Sequence, residues 1–220
     1  MKTALPLAFA AFAAFASISS GSAEILIAGG NGSFETNGAD TSNDFFDNVG
    51  LYELVTVGGT IPGWTFNTPG GPGRWFMEDG CGFGLASNGS AFINLSNAIA
   101  GYTASSTISG LDIGQSYTLT FDASLRKSVS AGSFTAELDL TTPLLVTISA
   151  ADLPANAGLS NYEQQTITFI ATNTTHTLTL DSANSPGDGF IVDNFAVIPE
   201  PSAALLGGLG LLALLRRRSK

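Results

Sequence analysis

Cysteine, histidine and basic residues are all scarce in this 220-residue chain, and each scarcity closes a class of function. Cys81 is the only cysteine, so no intrachain disulfide and no thiolate metal site can form. It lies in Asp79-Gly80-Cys81-Gly82, a loop-like setting where an odd thiol crosslinks, carries a modification or is buried. His176 is the only histidine and stands between threonines. No motif around it supports a Ser-His-Asp or Cys-His catalytic set, and it reads as a solvent-facing strand residue. The body of the chain also lacks any long apolar pattern of period 3.6, which excludes a helical bundle or a doubly wound α/β fold.

Long apolar runs occur only at the two ends. Lys2 precedes an Ala- and Phe-rich stretch over residues 4–18, and Gly21-Ser22-Ala23 supplies small residues for a cleavage site. That order is an export signal over residues 1–23, removed by signal peptidase to leave Glu24 first. At the other end, Pro199-Glu200-Pro201 precedes an uncharged apolar segment, residues 202–215, and then Arg216-Arg217-Arg218-Ser219-Lys220. The prolines break the chain ahead of a separate helix, and the basic cluster marks the end retained in the cytoplasm. Such a helix would be roughly 21 Å long at 1.5 Å per residue, short of the roughly 30 Å hydrocarbon core. Gly207, Gly208 and Gly210 weaken it further, which suits a transient anchor better than a lasting one.

Removing both ends changes the electrostatics. Only Arg74, Arg126 and Lys127 remain basic, against seventeen acids once Glu200 is set aside from the eighteen, a net charge of −14. A domain this acidic repels nucleic acid and anionic membrane surfaces. Its charge serves solubility outside the cell, or it attracts divalent cations and tolerates neutral sugars.

Residues 24–198 read as one all-β domain. Residues 115–125 alternate cleanly, with Tyr117, Leu119 and Phe121 on one face and Ser116, Thr118, Thr120 and Asp122 on the other. The same period recurs over 134–138, 166–170 and 175–180. Further strands are expected at 24–28, 51–57, 63–67, 90–95 and 189–197, separated by Gly-, Asn-, Pro- and Ser-rich turns. Short half-buried strands between such turns make a two-sheet sandwich or barrel.

Two resemblances sharpen these readings. The Pro-Glu-Pro motif, apolar helix and Arg-rich terminus resemble the PEP-CTERM sorting signal of Gram-negative bacteria, here residues 199–220. The resemblance implies recognition by an exosortase through Pro199, Glu200, Pro201, Arg216, Arg217 and Arg218, cleavage near the motif, and delivery to the cell surface or the exopolysaccharide matrix of a biofilm. In the body, Asn31-Gly32-Ser33-Phe34-Glu35, Ile61-Pro62-Gly63-Trp64, residues 87–95, residues 114–122 and residues 189–197 follow one another in order. This series is similar to the galactose-binding-like jelly rolls of DUF642 and choice-of-anchor exported proteins and to related carbohydrate-binding modules. It implies a jelly-roll sandwich, a core role for Trp64, and a structural Ca²⁺ held by Glu35 and Asp193 with backbone carbonyls, since calcium takes 6–8 oxygens.

Three residues form a candidate sugar platform. Arg74, Trp75 and Phe76 follow a Gly- and Pro-rich run and precede Met77-Glu78-Asp79. An aromatic plane beside charged groups stacks on a sugar ring while its neighbours bond the hydroxyls; core packing is the other reading of Trp75. A paired-carboxylate hydrolase stays open through Glu78, Asp79, Asp122 and Glu137, whose separation a sequence does not reveal. The expectation is an exported, non-enzymatic surface or matrix protein with a structural or adhesive role and weak polysaccharide binding. A dedicated carbohydrate-binding module and a polysaccharide hydrolase are the alternatives.

Overall fold

The structure, a computed structural model, describes residues 27, 30–35, 52–55, 60–67, 73–78, 84–95, 102–126, 132–155, 160–184 and 189–200. The signal peptide, Cys81, Asp79 and the apolar tail from Pro201 onward lie outside the described residues. Within them run twelve strands: β1 (Tyr52–Val55), β2 (Thr60–Ile61), β3 (Trp64–Asn67), β4 (Gly73–Glu78), β5 (Ala91–Leu95) and β6 (Thr103–Ser109). They continue with β7 (Ser116–Leu125), β8 (Ser133–Leu138), β9 (Leu144–Ser149), β10 (Glu163–Ile170), β11 (Thr175–Asn184) and β12 (Phe190–Pro199). Among the described residues no helix is long and apolar enough to cross a membrane.

The strands form two six-stranded antiparallel sheets, ordered β1-β4-β5-β12-β7-β10 and β2-β3-β6-β11-β8-β9. The chain passes between sheets repeatedly, from β5 to β6, β6 to β7 and β7 to β8, so the strands interleave as a jelly roll. Alternation drives this arrangement. In β7, Tyr117, Leu119, Phe121 and Ala123 turn into the space between the sheets, while Thr118, Thr120 and Asp122 stay half-exposed. Partners on both sides complete one core, with Leu178 and Leu180 of β11, Phe134 of β8 and Phe190, Val192 and Val197 of β12.

Trp64 lies at the centre of an aromatic cluster and is fully buried. Its ring centroid is 5.0 Å from both Phe34 and Phe195, and Phe195 stacks on Phe121 at 5.0 Å. The indole Nε1 donates to the Asn31 carbonyl at 3.2 Å, and Asn31 Nδ2 donates to the Pro62 carbonyl at 2.9 Å. The β2–β3 turn delivers the indole there. Pro62 and Gly63 are its central residues, and the φ of +83° at Gly63 is the left-handed conformation a type II turn needs at that position.

Four strands, β2, β4, β6 and β9, lie outside the sequence expectation, and two of them show why. Residues 103–109 show no apolar period because the inward positions are Ala104, Ser106 and Ile108, and the first two stand directly opposite Phe66 and Trp64 of β3. Large aromatics on one strand are matched by small residues on the next, so hydrophobicity alternates between strands rather than along one. Strand β9 was equally invisible: it is an edge strand with only Ile148 buried and Leu145 exposed. The last strand also runs one residue beyond the expected end of the domain, pairing Pro199 with Tyr117.

Truncating the central indole removes the cluster's keystone. Trp64→Ala is expected to lower unfolding free energy by about 3–5 kcal/mol, read by urea denaturation. A loss below about 1 kcal/mol would place the indole outside a packed core.

Candidate functional site

The opening and closing segments of the domain meet at one loop. Phe195 N–H of β12 donates to the Gly32 carbonyl at 2.9 Å, which brings Glu35 and Asp193 to the loop of residues 84–90 ahead of β5. Asp193 is completely buried. Its Oδ2 accepts from Ser87 N–H at 2.8 Å, Ser87 Oγ at 3.0 Å and Asn88 N–H at 3.0 Å, and its Oδ1 accepts from Asn194 N–H at 2.6 Å. Glu35 holds the other end of the loop. Its Oε1 accepts from Ser90 N–H at 2.8 Å and Ala91 N–H at 2.9 Å, and its Oε2 from Ser90 Oγ at 3.1 Å.

Between these anchors Gly89 has φ +74°, and a Cβ there would run into the Glu35 carboxylate, so only glycine fits. A bulge in β12 completes the site. The register with β7 shifts between Asp193 and Ala196, Asn194 takes φ +55°, and its side chain accepts from Asn88 Nδ2 at 3.1 Å while donating to Asp122 Oδ2 at 3.0 Å.

Glu35 and Asp193, the pair the resemblance named, hold opposite ends of the same short loop. The oxygens of both carboxylates are engaged by N–H and O–H donors of that loop and of Asn194. Among the described residues no group of three or more His, Cys, Asp or Glu converges. What the sequence reading missed is the third member, the Ser87-Asn88-Gly89-Ser90 loop, whose turn composition was its only signal.

Burial pushes the Asp193 carboxyl from the ordinary 3.8 up to about 7, against the pull of the hydrogen bonds from Asn88, Asn194 and Ser87. The folded state therefore holds this proton more tightly than the unfolded chain. The resulting stabilisation is complete below the ordinary carboxylate pKa and is lost as pH rises through about 7. Between pH 5 and pH 8 the wild type should lose more stability than Asp193→Asn, measured by urea denaturation of both at each pH. Equal slopes would show that Asp193 stays ionised in the fold.

His176 corrects the sequence expectation. It is 3% exposed rather than solvent-facing. Nε2 accepts from the backbone N–H groups of Thr172 at 3.1 Å and Asn173 at 3.2 Å, which places the ring proton on Nδ1, 3.0 Å from Asp139 Oδ1. The Asp-His pair looks like a relay, yet its outer nitrogen is engaged by two backbone N–H groups of the turn before β11, with the Thr172 hydroxyl farther off at 3.5 Å. The carboxylates considered for hydrolysis are divided: Glu137 lies in the sheet opposite to the one holding Glu78 and Asp122.

The backbone resolves the proposed platform into its parts. Arg74, Trp75 and Phe76 are strand residues of β4, not loop residues, and their side chains lie outside what is described. Glu53 pairs with Phe76 while Leu54, the next residue, pairs with Arg74. Trp75 is thereby the extra residue of a β-bulge beside the edge strand β1. On the next two strands, Phe92 of β5 and Ile191 of β12 pack with Ala86 and Tyr162 as a second cluster on the face turned away from the main core. Asn94, opposite Ile191, is buried with neither polar side-chain atom bonded.

The fold and this arrangement define an all-β jelly-roll sandwich closed by a carboxylate-held loop. Solved structures of similar shape include the CBM22-1 xylan-binding domain of Paenibacillus barcinonensis Xyn10C, at 10% identity over 70% of this chain and 98% of that one, TM-score 0.43. Another is a CBM61 in complex with β-1,4-galactotriose, at 13% identity over 77% and 96%, TM-score 0.44. A third is the C-terminal family 22 carbohydrate-binding module of Clostridium thermocellum Xyn10B, at 17% identity over 70% and 95%, TM-score 0.43. No protein-family model matches the chain, and no curated protein matches its sequence. Likeness at this level speaks to fold alone, and the jelly-roll assignment rests on the strand order itself.

Proposed function

We propose that this is an exported surface or extracellular-matrix protein of a Gram-negative bacterium, sorted by an exosortase, with a structural or adhesive role that includes weak polysaccharide binding. The observation that carries the binding reading is the bulge at Trp75. A regular strand has no need of an extra residue, and bulges recur where a sheet re-aims one side chain at a ligand. Here the extra residue is a tryptophan on the second strand from a sheet edge, flanked by Arg74 and Phe76. Tryptophan is a residue type that stacks on sugar rings, and the net charge of −14 favours neutral glycans over acidic ones. Two processed ends supply the address: a signal peptide for export and the Pro-Glu-Pro tail for transient membrane retention.

Affinity electrophoresis of the mature protein through gels containing neutral plant-type or bacterial polysaccharides tests the binding reading. Retardation by at least one polysaccharide is expected. Trp75→Ala should weaken it about tenfold, the size of one lost stacking contact, with the melting temperature unchanged, and Trp75→Phe should restore most of it. Retardation that is indifferent to Trp75, or a Trp75→Ala protein that unfolds as Trp64→Ala does, would move the residue into the core and remove the platform.

A further inference from the structure

The motif read as a sorting signal is partly built into the sandwich. Pro199 is the last residue of β12 and pairs with Tyr117 of β7. Glu200 continues along the same strand. Its N–H donates to the Ser116 carbonyl at 3.0 Å, and its own carbonyl accepts from Gln115 Nε2 at 2.7 Å. Its carboxylate accepts from Thr118 Oγ1 at 2.6 Å and, more weakly, from Ser116 Oγ at 3.4 Å. Four donors and acceptors from residues 115–118 thus grip a single glutamate by both backbone and side chain. Hydrogen bonds to an ionised carboxylate are the stronger kind.

We infer that the start of β7, through Gln115, Ser116 and Thr118, is a latch that holds the Pro-Glu-Pro motif against the folded domain and sets how fast the motif is processed. A membrane peptidase reading a short motif needs its side chains and an unpaired backbone, the mode in which extended peptides are bound. While Glu200 is latched, its carboxylate and its N–H are both engaged by β7. Recognition then draws on the fraction of molecules in which the end of β12 has opened, a local equilibrium independent of global unfolding. Only the last residues need to leave, because the β5–β12 pairing covers residues 190–192 and the core-facing Val197 lies two residues before the clamp. The latch also explains why the acidic member of the motif sits beside hydroxyl and amide donors instead of in solvent.

The inference rests on the sorting reading, and the experiment separates the two. Full-length protein is followed by pulse-chase in cells expressing the exosortase, in three forms: wild type, Gln115→Ala/Thr118→Val, and a form with a Gly-Ser spacer inserted between Ile198 and Pro199. Loss of two bonds should raise the initial rate of tail removal roughly tenfold, and the spacer form should be processed at least as fast. Melting temperatures check that the double variant remains folded, and the spacer form, which leaves residues 115–118 intact, serves if it does not. Equal processing rates in all three forms would overturn the latch while leaving sorting intact. Tail removal from none of them would overturn the sorting reading and the latch's role with it. Hydrogen exchange on the purified full-length protein gives a second readout: the Glu200 amide should be protected in the wild type and exchange faster in the double variant. Unprotected exchange in the wild type would remove the latch whatever the peptidase does.

Discussion

A buried carboxylate, that of Asp193, is the constraint on which this end of the sandwich depends. Asp193 is withdrawn from water and surrounded by donors from a loop 106 residues away in sequence. It supplies the partner for the N–H groups of half-buried Ser87 and exposed Asn88. Glu35 does the same for Ser90 and Ala91 from 55 residues in the other direction. Neither carboxylate alone defines the loop, because each satisfies a different half of it. Together they force the first segment, the loop before β5 and the closing strand to coincide, and Gly89 is the point where the fit leaves no room for a side chain.

That coincidence shapes the core below it. The Phe195 N–H bond to Gly32 sits one residue past the Asn194 bulge, and it draws Phe34 and Phe195 together against Trp64 so that the three rings touch pairwise. Phe34 accepts φ +61° to reach its place, an unusual conformation for a bulky residue. Strain of this kind persists only where surroundings over-determine it. Here they do: the ring is buried between an indole and a second phenyl ring, and the next residue is the loop-holding Glu35. Packing and hydrogen bonding therefore fix the same few residues from two directions.

Legibility in the sequence followed the reach of each interaction. Strands whose apolar residues alternate against a single core, such as β7, β8, β10 and β11, were readable because the period lies within one segment. Strand β6 was not, since Ala104 and Ser106 face inward only because Phe66 and Trp64 lie across from them, a fact of pairing and not of pattern. His176 shows the same limit. Its strand parity left its face ambiguous, and the deciding partners, Asp139 and the backbone at 172–173, come from two turns the local pattern does not join. Glu35 and Asp193 were recognised as a meeting point, but their chemistry depended on which polarity met them, and that came from the loop between. The platform residues were found as a cluster, yet the feature that distinguishes Trp75 from its neighbours is a register shift against β1.

Strand β7 ties these features into one mechanical unit. Its inward residues, Tyr117, Leu119 and Phe121, belong to the core, whereas its outward series runs from Ser116 and Thr118 at the Glu200 clamp to Asp122 at the Asn194 bridge. The bulge in the middle of β12 and the residue that follows its last are therefore held by polar residues on one face of one neighbour, while apolar packing holds the strand on the other. The two kinds of restraint respond differently to change. Apolar burial along Val192, Phe195 and Val197 keeps the strand in the sheet, so loosening the polar clamp at Glu200 frees the end without dissolving the fold. Pro199 and Glu200 are thus held by the domain they close, and opening only the residues beyond the last buried valine would release them.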